Sequence, residues 1–363
     1  MTLSKIAGQF SFKGDCLDIK PFGNGHINDT YVALCSTSEG DVRYILQRLN
    51  SRVFPNPIQL MDNMVAVTEF LRKKISADGG DPDRECLCLV RTLDGKNYYV
   101  DDNSDVWRAT KFIENTQTYL VAEDREMFAD AGRAFGQMLS RLADFDASKL
   151  HDVIPNFHNT VSRYDALHKA AKADKLGRLE GAREEFNFAV EHSYLCPVIV
   201  DALGCGAIPL RVTHNDTKLN NVLIDSSTKR AVCVIDLDTV MSGSLLYDFG
   251  DAIRVGCSTA EEDERDLAKV DFDIDNFDAF TRGYISGAGA SITHEEAELM
   301  PISAVILTYE CGMRFLTDYL DGDNYFKTAY PEHNLVRCRT QFKQARLMLD
   351  RIEEMKNIVR KYS

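Results

Sequence analysis

Residues 211–238, RVTHNDTKLNNVLIDSSTKRAVCVIDLD, constrain this chain more than any other stretch. They read as a loop, a strand (NVLI), a polar turn (SSTK) and a second strand (AVCVI), a hairpin set in an otherwise helical region. Within it, His214, Asp216 and Asn221 stand at the spacing HxDxxxxN, and Asp236 follows at the end of the second strand. Asn and Asp are most often turn and cap residues, but this loop–strand–turn–strand setting gives the four a common chemistry. Moving a phosphoryl group to a hydroxyl needs a carboxylate within hydrogen-bond reach of the attacking oxygen, and hard oxygen ligands for magnesium on the β- and γ-phosphates. Asp216 suits the first task, and Asn221 with Asp236 the second. His214 is expected to brace the loop. Asp238, on the same strand face as Asp236, is expected either to assist the metal or to hydrogen-bond the loop.

The rest of the chain sorts into two textures. With 363 residues it is too long for one compact domain of ordinary size. The first hundred or so residues alternate as strands (INDTYVALC, VRYILQRL, CLCLVRT, KNYYV, VWRATKFI), interrupted by one amphipathic helix from Asn56 to Lys74. After Glu114 helical periodicity dominates, over 124–145, 162–175, 182–203 with a break at Pro197, 294–320 and 334–361. The expected fold is α+β and bilobal: a small lobe of antiparallel strands plus a helix over 1–115, with a hinge at its end, and a mainly helical lobe over 116–363.

Composition excludes several partners. A formal net charge of −14 disfavours nucleic acid and anionic membrane surfaces, though not a nucleotide that arrives with its metal. No apolar run approaches the ~20 residues of a membrane span, and the opening MTLSKIAGQFSF lacks the apolar stretch of a secretion signal. The 10 cysteines are scattered through strands and helices, as expected of buried thiols in a cytoplasmic protein. Cys86 and Cys88 read as two faces of a strand rather than a zinc site.

In the protein-kinase signature, the positions of His214, Asp216, Asn221 and Asp236 hold the loop histidine, the catalytic base and the metal-binding Asn and Asp. Asp248-Phe249-Gly250 spells the kinase metal motif one segment too late, so Asp248 is expected to hold the loop and Asp251 to be a pocket residue. HNDTKLNNVLID together with VIDLDTVMSGSLLYDFGDAIR resembles the aminoglycoside phosphotransferase and choline kinase superfamily. PFGNGHINDTYVA, RYILQRLN, WRATKFIENTQTY, ECGMRFLTDYLDGDNYF and YPEHNLVRCRTQ extend the resemblance over nearly the whole chain, to the N-acetylhexosamine 1-kinase branch. The resemblance implies an enzyme that uses ATP and Mg2+ to phosphorylate the anomeric hydroxyl of N-acetylglucosamine or N-acetylgalactosamine. It makes Asp216 the base, Asn221 and Asp236 the metal ligands, and Phe112, Ile113 and Glu114 the hinge against adenine. It brings His26, Asn28, Arg314 and Tyr325 to the sugar. Gly23 and Gly25 form a short glycine turn for the phosphates, and Gln47 stands where kinase strands carry a phosphate-binding Lys; Arg48 beside it faces the other way.

Other readings share the catalytic residues. Choline would favour an aromatic cage, for which the single Trp107 sits in a small-lobe strand. An aminoglycoside would favour an acidic pocket, which Glu310, Asp318, Asp321 and Asp323 can supply. A catalytically silent binding relative would usually lack the base or a metal ligand.

Overall fold

The computed structural model describes residues 2–23 and 27–363, so Gly25 and His26 lie outside the described residues. The chain forms two compact units: Met1–Thr118 with Asp144–Pro155 and Val222–Ser242, and Tyr119–Ala143 with Asn156–Asn221 and Gly243–Ser363. The fold class is the expected α+β, one unit built on an antiparallel sheet and the other helical.

The sheet comprises β1 (Asp15–Pro21), β2 (Asp29–Thr37), β3 (Gly40–Arg48), β4 (Tyr99–Val100) and β5 (Val106–Lys111), in the order β1-β2-β3-β5-β4. All its pairings are antiparallel. Alternation sends Ala33, Cys35, Tyr44, Leu46, Trp107 and Ala109 into one core. On the other face, Gln47 and Arg108 are register partners, and Arg108 Nη1 lies 3.3 Å from Met64 Sδ of the helix Pro57–Ala77. That helix starts on a proline, whose missing N–H costs nothing at a first turn. It buries Leu60, Met64, Val67, Leu71 and Ile75, the stripe expected from sequence.

CLCLVRT departs from expectation. It pairs with β5 through isolated bonds, Val90 N–H to Ala109 O at 2.8 Å and Lys111 N–H to Cys88 O at 2.9 Å, without forming a strand. The helical turn Pro82–Glu85 before it and the Thr92–Gly95 turn after it leave too little chain for a ladder. The hairpin Val222–Asp225 with Ala231–Val234 forms as expected. By its contacts it belongs to the sheet unit: Thr116–Gln117 adds a third strand, and Arg84 pairs with Asp225.

In the helical unit, His294–Asp321 is the central element, opened by a capping box of Thr293 and Glu296. By length and composition it could cross a membrane, but 83% of its most apolar window is buried within the protein. The segment 182–203 divides at Pro197 as expected, whereas 334–361, read as one helix, is also divided. Arg183–Glu191 is separated from Pro197–Gly204, and His333–Asp350 from Ile352–Tyr362. Two helices escaped the sequence reading, Leu245–Gly256 and Ile274–Ala288. Their glycines serve close packing. A Cβ on Gly283 would stand 1.8 Å from Ala129 O of the helix Arg125–Arg141, so the two backbones meet only because none is there.

Candidate active site

The loop 214–221 lies in the helical unit and is held from below by the helix Leu245–Gly256. Asp248 accepts the backbone N–H groups of His214 at 2.9 Å and Asn215 at 2.7 Å, and Asp251 accepts that of Thr217 at 3.2 Å. Asn215 takes a left-handed φ of 63°, a conformation Asn tolerates better than most residues. His214 is buried edge-on against Phe135, and its Nδ1 accepts the N–H of Asp216 at 3.3 Å. The helix can sit this close because a Cβ on Gly250 would fall 2.6 Å from Ser303 O of the central helix. Asp248 therefore holds the loop, as expected. Asp251 was expected in a pocket, but it is buried and paired with Arg254 at 2.8 Å.

Asp216 is fixed on both oxygens. Oδ2 accepts Asn221 Nδ2 at 3.0 Å, and Oδ1 meets Lys218 Nζ at 2.6 Å. The Asn221 amide also donates to Asp216 O at 2.8 Å, which commits its nitrogen and leaves its Oδ1 as the available hard ligand. Lys218 was missed in the sequence, although its place two residues after the base was the available signal. Burial works to lower its pKa, but Asp216 and Asp251 outweigh burial and raise it. Burial likewise pushes the Asp248 carboxyl up, against the pull of His214.

Elsewhere in this unit Arg314 has no hydrogen bond or ion pair with the described residues; its guanidinium lies 5.2 Å from the Phe157 ring, 5.6 Å from Phe326 and 5.9 Å from Tyr325. Burial disfavours its charge, but Glu310, Cys311 and Tyr325 together outweigh burial, so its pKa is raised. Glu310 is 1% exposed and receives His158 Nδ1 at 3.2 Å and Arg163 at 4.0 Å. His158 Nε2 is buried without a partner among the described residues. Tyr325 is exposed on a loop knotted around the buried Asp318, which accepts the N–H groups of Asn324, Tyr325 and Phe326 at 2.8–2.9 Å and Asn334 Nδ2 at 2.9 Å. Asp323 pairs with Arg178 and Asp321 with Lys175.

The remaining candidates lie in the sheet unit. Asp236 stands where the second hairpin strand has ended, at φ 60° and ψ 60°, and a 3-10 turn over Leu237–Thr239 follows. The expected shared strand face of Asp236 and Asp238 is therefore absent, because the chain leaves the extended conformation between them. Asn28 uses its amide within the unit, donating to Asp238 at 2.5 Å and accepting Asn50 N–H at 3.0 Å. Gln47 bridges Thr30 at 3.0 Å and Arg108 at 2.9 Å, while Arg48 pairs with Asp29 and Asp105. Gly23 takes φ 76° with open space where a Cβ would be. In the hinge, Arg43 lies 3.9 Å over the Phe112 ring and grips Glu114, whose carbonyl accepts Arg84 at 2.9 Å. The Ile113 carbonyl accepts the Thr116 hydroxyl at 2.7 Å.

Comparison with solved structures finds the same fold. An aminoglycoside phosphotransferase from Alicyclobacillus acidocaldarius is 12% identical with a TM-score of 0.62, over 99% of this chain and 97% of that one. A choline/ethanolamine kinase family protein from Mesorhizobium loti is 16% identical with a TM-score of 0.55, over 95% and 92%. A spectinomycin phosphotransferase in complex with ADP and spectinomycin is 13% identical with a TM-score of 0.53, over 94% of each. These likenesses carry the protein-kinase-like fold. The family model described as "Phosphotransferase enzyme family" matches residues 18–280, well over half of the sequence. The chain belongs to that family, the small-molecule phosphotransferases that include the aminoglycoside kinases.

Proposed function

We propose that this phosphotransferase uses MgATP to phosphorylate the anomeric hydroxyl of N-acetylglucosamine or N-acetylgalactosamine, as an N-acetylhexosamine 1-kinase. The proposed division of labour gives the nucleotide to residues 1–115 and catalysis with acceptor binding to 116–363. Asp216 takes the hydroxyl proton. Its carboxylate is already oriented by Asn221 and Lys218, so little reorganisation is needed when the acceptor arrives. A bound magnesium ion would supply positive charge to the phosphates at this site. Asn221 Oδ1 and the Asp236 carboxylate suit it, since Mg2+ usually takes one or two protein ligands and completes its shell with phosphates and water. Phe112, Ile113 and Glu114 are proposed to face adenine, Gly23, Gly25 and Gln47 the phosphates. His26, Asn28, Arg314 and Tyr325 are proposed for the sugar. The ADP bound in the spectinomycin phosphotransferase supports adenine nucleotide use. A cytoplasmic setting suits an enzyme that consumes ATP.

The observation that carries the acceptor class is Arg314, a guanidinium with three aromatic neighbours and no acceptor among the described residues. Such a group offers directional donors to a carbonyl or hydroxyl and repels ammonium groups. The acids that might have welcomed an aminoglycoside are occupied: Glu310 by His158 and Arg163, Asp318 by four N–H donors, Asp321 by Lys175 and Asp323 by Arg178. Trp107 is buried and donates to Asp101 at 3.1 Å, so it is not available for a choline cage. The second reading, a kinase of choline or aminoglycoside type, draws on the neighbours' printed activities.

Incubation with ATP, magnesium and a panel of sugars, choline and aminoglycosides, read by phosphorus NMR, separates the two. The expected product is a sugar 1-phosphate, with reducing-sugar signal falling in step with ATP consumption. Reducing sugar that persists as ATP is consumed would remove the anomeric assignment and leave the kinase.

A further inference from the structure

Gln47 leaves open which group in the sheet unit does the work of a strand lysine. Beside Gln47 on that sheet face is Arg108 on β5, 2% exposed. Its Nε donates to Gln47 Oε1 at 2.9 Å, and its Nη1 pairs with one oxygen of Asp238. The other Asp238 oxygen accepts Asn28 Nδ2 at 2.5 Å. Asp238 is 3% exposed, so this is a buried ion pair with every carboxylate oxygen satisfied. Such a pair contributes little net stability over an apolar substitute, yet losing one partner strands a buried charge. It fixes geometry better than it adds free energy. The geometry at stake is local: Asp236, two residues before Asp238, is a non-glycine residue in the left-handed region. A conformation of that kind persists only where its surroundings hold it.

We propose that Arg108 is a positioning residue that bolts the 236–239 turn to β5 and β3 through Asp238, and so sets the direction in which Asp236 presents its carboxylate to a metal. Asp238 is then the bolt rather than a second metal ligand. Arg108, neutralised by Asp238, does not replace the strand lysine as a phosphate cation. It links the strand to the metal-bearing turn by a route that needs a forked donor, since one guanidinium spans Gln47 and Asp238 where an ammonium cannot hold both in the same geometry. The inference rests on the kinase reading, because it assumes that Asp236 meets a metal.

The test is the affinity of Mn2+, followed by electron paramagnetic resonance, for the full-length protein saturated with a non-hydrolysable ATP analogue. Arg108→Lys keeps the charge and loses the fork. Loss of an outer partner of this kind typically weakens metal affinity ~10- to 100-fold, and that weakening is expected with the folded circular dichroism spectrum retained. If Arg108→Lys does not fold, Arg108→Met combined with Asp238→Leu removes both charges together and is expected to show the same weakening. Affinity within about twofold of wild type in the folded variant overturns the proposal. Tighter metal binding overturns it too, since a released Asp238 would then be acting as a ligand. Wild-type protein that shows no nucleotide-dependent Mn2+ binding overturns the kinase reading and the bolt together, whereas wild-type binding with unaltered variants overturns the bolt alone.

Discussion

Two buried polar clusters in this protein are built on opposite principles. Around Asp238 in the sheet unit, Arg108, Gln47, Thr30, Asn28 and the Asn50 backbone satisfy one another. Around Glu310 in the helical unit, Arg314 has ring neighbours but no hydrogen bond, and the Nε2 atom of His158 has none either, among the described residues. In the closed network Arg108 and Asp238 serve to hold backbone in place, and Gln47 and Asn28 reach a ligand only by exchanging these bonds for new ones. An open one carries a desolvation cost that a ligand can relieve. The difference separates Arg108 and Asp238, which position, from Arg314, which is proposed to bind, and each of the following substitutions is chosen to break or sharpen it.

The largest effect should come from Asp216→Asn, which keeps shape but removes the proton acceptor. General-base contributions are typically ~100- to 10,000-fold, so turnover should nearly vanish while ATP binding, measured by calorimetry, stays close to wild type. Retention of most of the rate would take Asp216 out of the base role. Asp236→Ala and Asn221→Ala should lower the rate and raise the magnesium concentration needed for half-maximal activity. Asp248→Ala, at a group that accepts the backbone N–H groups of the loop, should instead lower Tm. A magnesium defect in Asp248→Ala without one in Asp236→Ala would reverse the assignment of these two carboxylates.

Arg314→Ala tests the open cluster. Hydrogen bonds from a charged donor are worth about 1.5–3 kcal/mol, so the sugar KM should rise roughly 10- to 100-fold with the ATP KM little changed. Equal shifts in both would make Arg314 structural and place it with the closed network. Asp318→Asn should act on the same parameter more weakly, a few-fold in sugar KM. It replaces a carboxylate that accepts three backbone N–H groups with an amide that accepts fewer, loosening the loop of Tyr325. A change confined to Tm would separate that loop from acceptor binding.

The smallest effect is one of pH. Burial works to raise the Asp251 carboxyl above 3.8, but Arg254, Lys218 and His158 together outweigh burial and hold it below that value. A depressed folded-state value contributes stability present above the unfolded value and lost as pH falls through the folded one. The Tm difference between wild type and Asp251→Asn should therefore be greatest near neutrality and shrink below about pH 4. A difference that stays constant from pH 7 to pH 3 would show that Asp251 acts through packing alone.

The sequence by itself determined what depends on short-range order. HxDxxxxN places Asp216 and Asn221 five residues apart on one loop, and the alternation of NVLI and AVCVI makes the hairpin that follows. The 3.6-residue stripe from Leu60 to Ile75 makes the long helix of the sheet unit. Lys218 was equally legible, two residues from the base, and was overlooked. Tertiary structure decided whatever turns on which distant groups arrive beside these. Asp238 looked like a strand neighbour of Asp236, but its role was set by Arg108, 130 residues away, and by a turn that ends the strand. Glu310, Asp318, Asp321 and Asp323 read as a candidate acidic pocket until His158, Lys175, Arg178 and Asn334 were found against them. The close packing of Ile274–Ala288, with Ala129 O standing where a Cβ on Gly283 would go, was likewise decided only by the fold. Periodicity records which face of an element is apolar. Whether a buried charge is satisfied depends on partners remote in sequence, and only the folded chain brings those together.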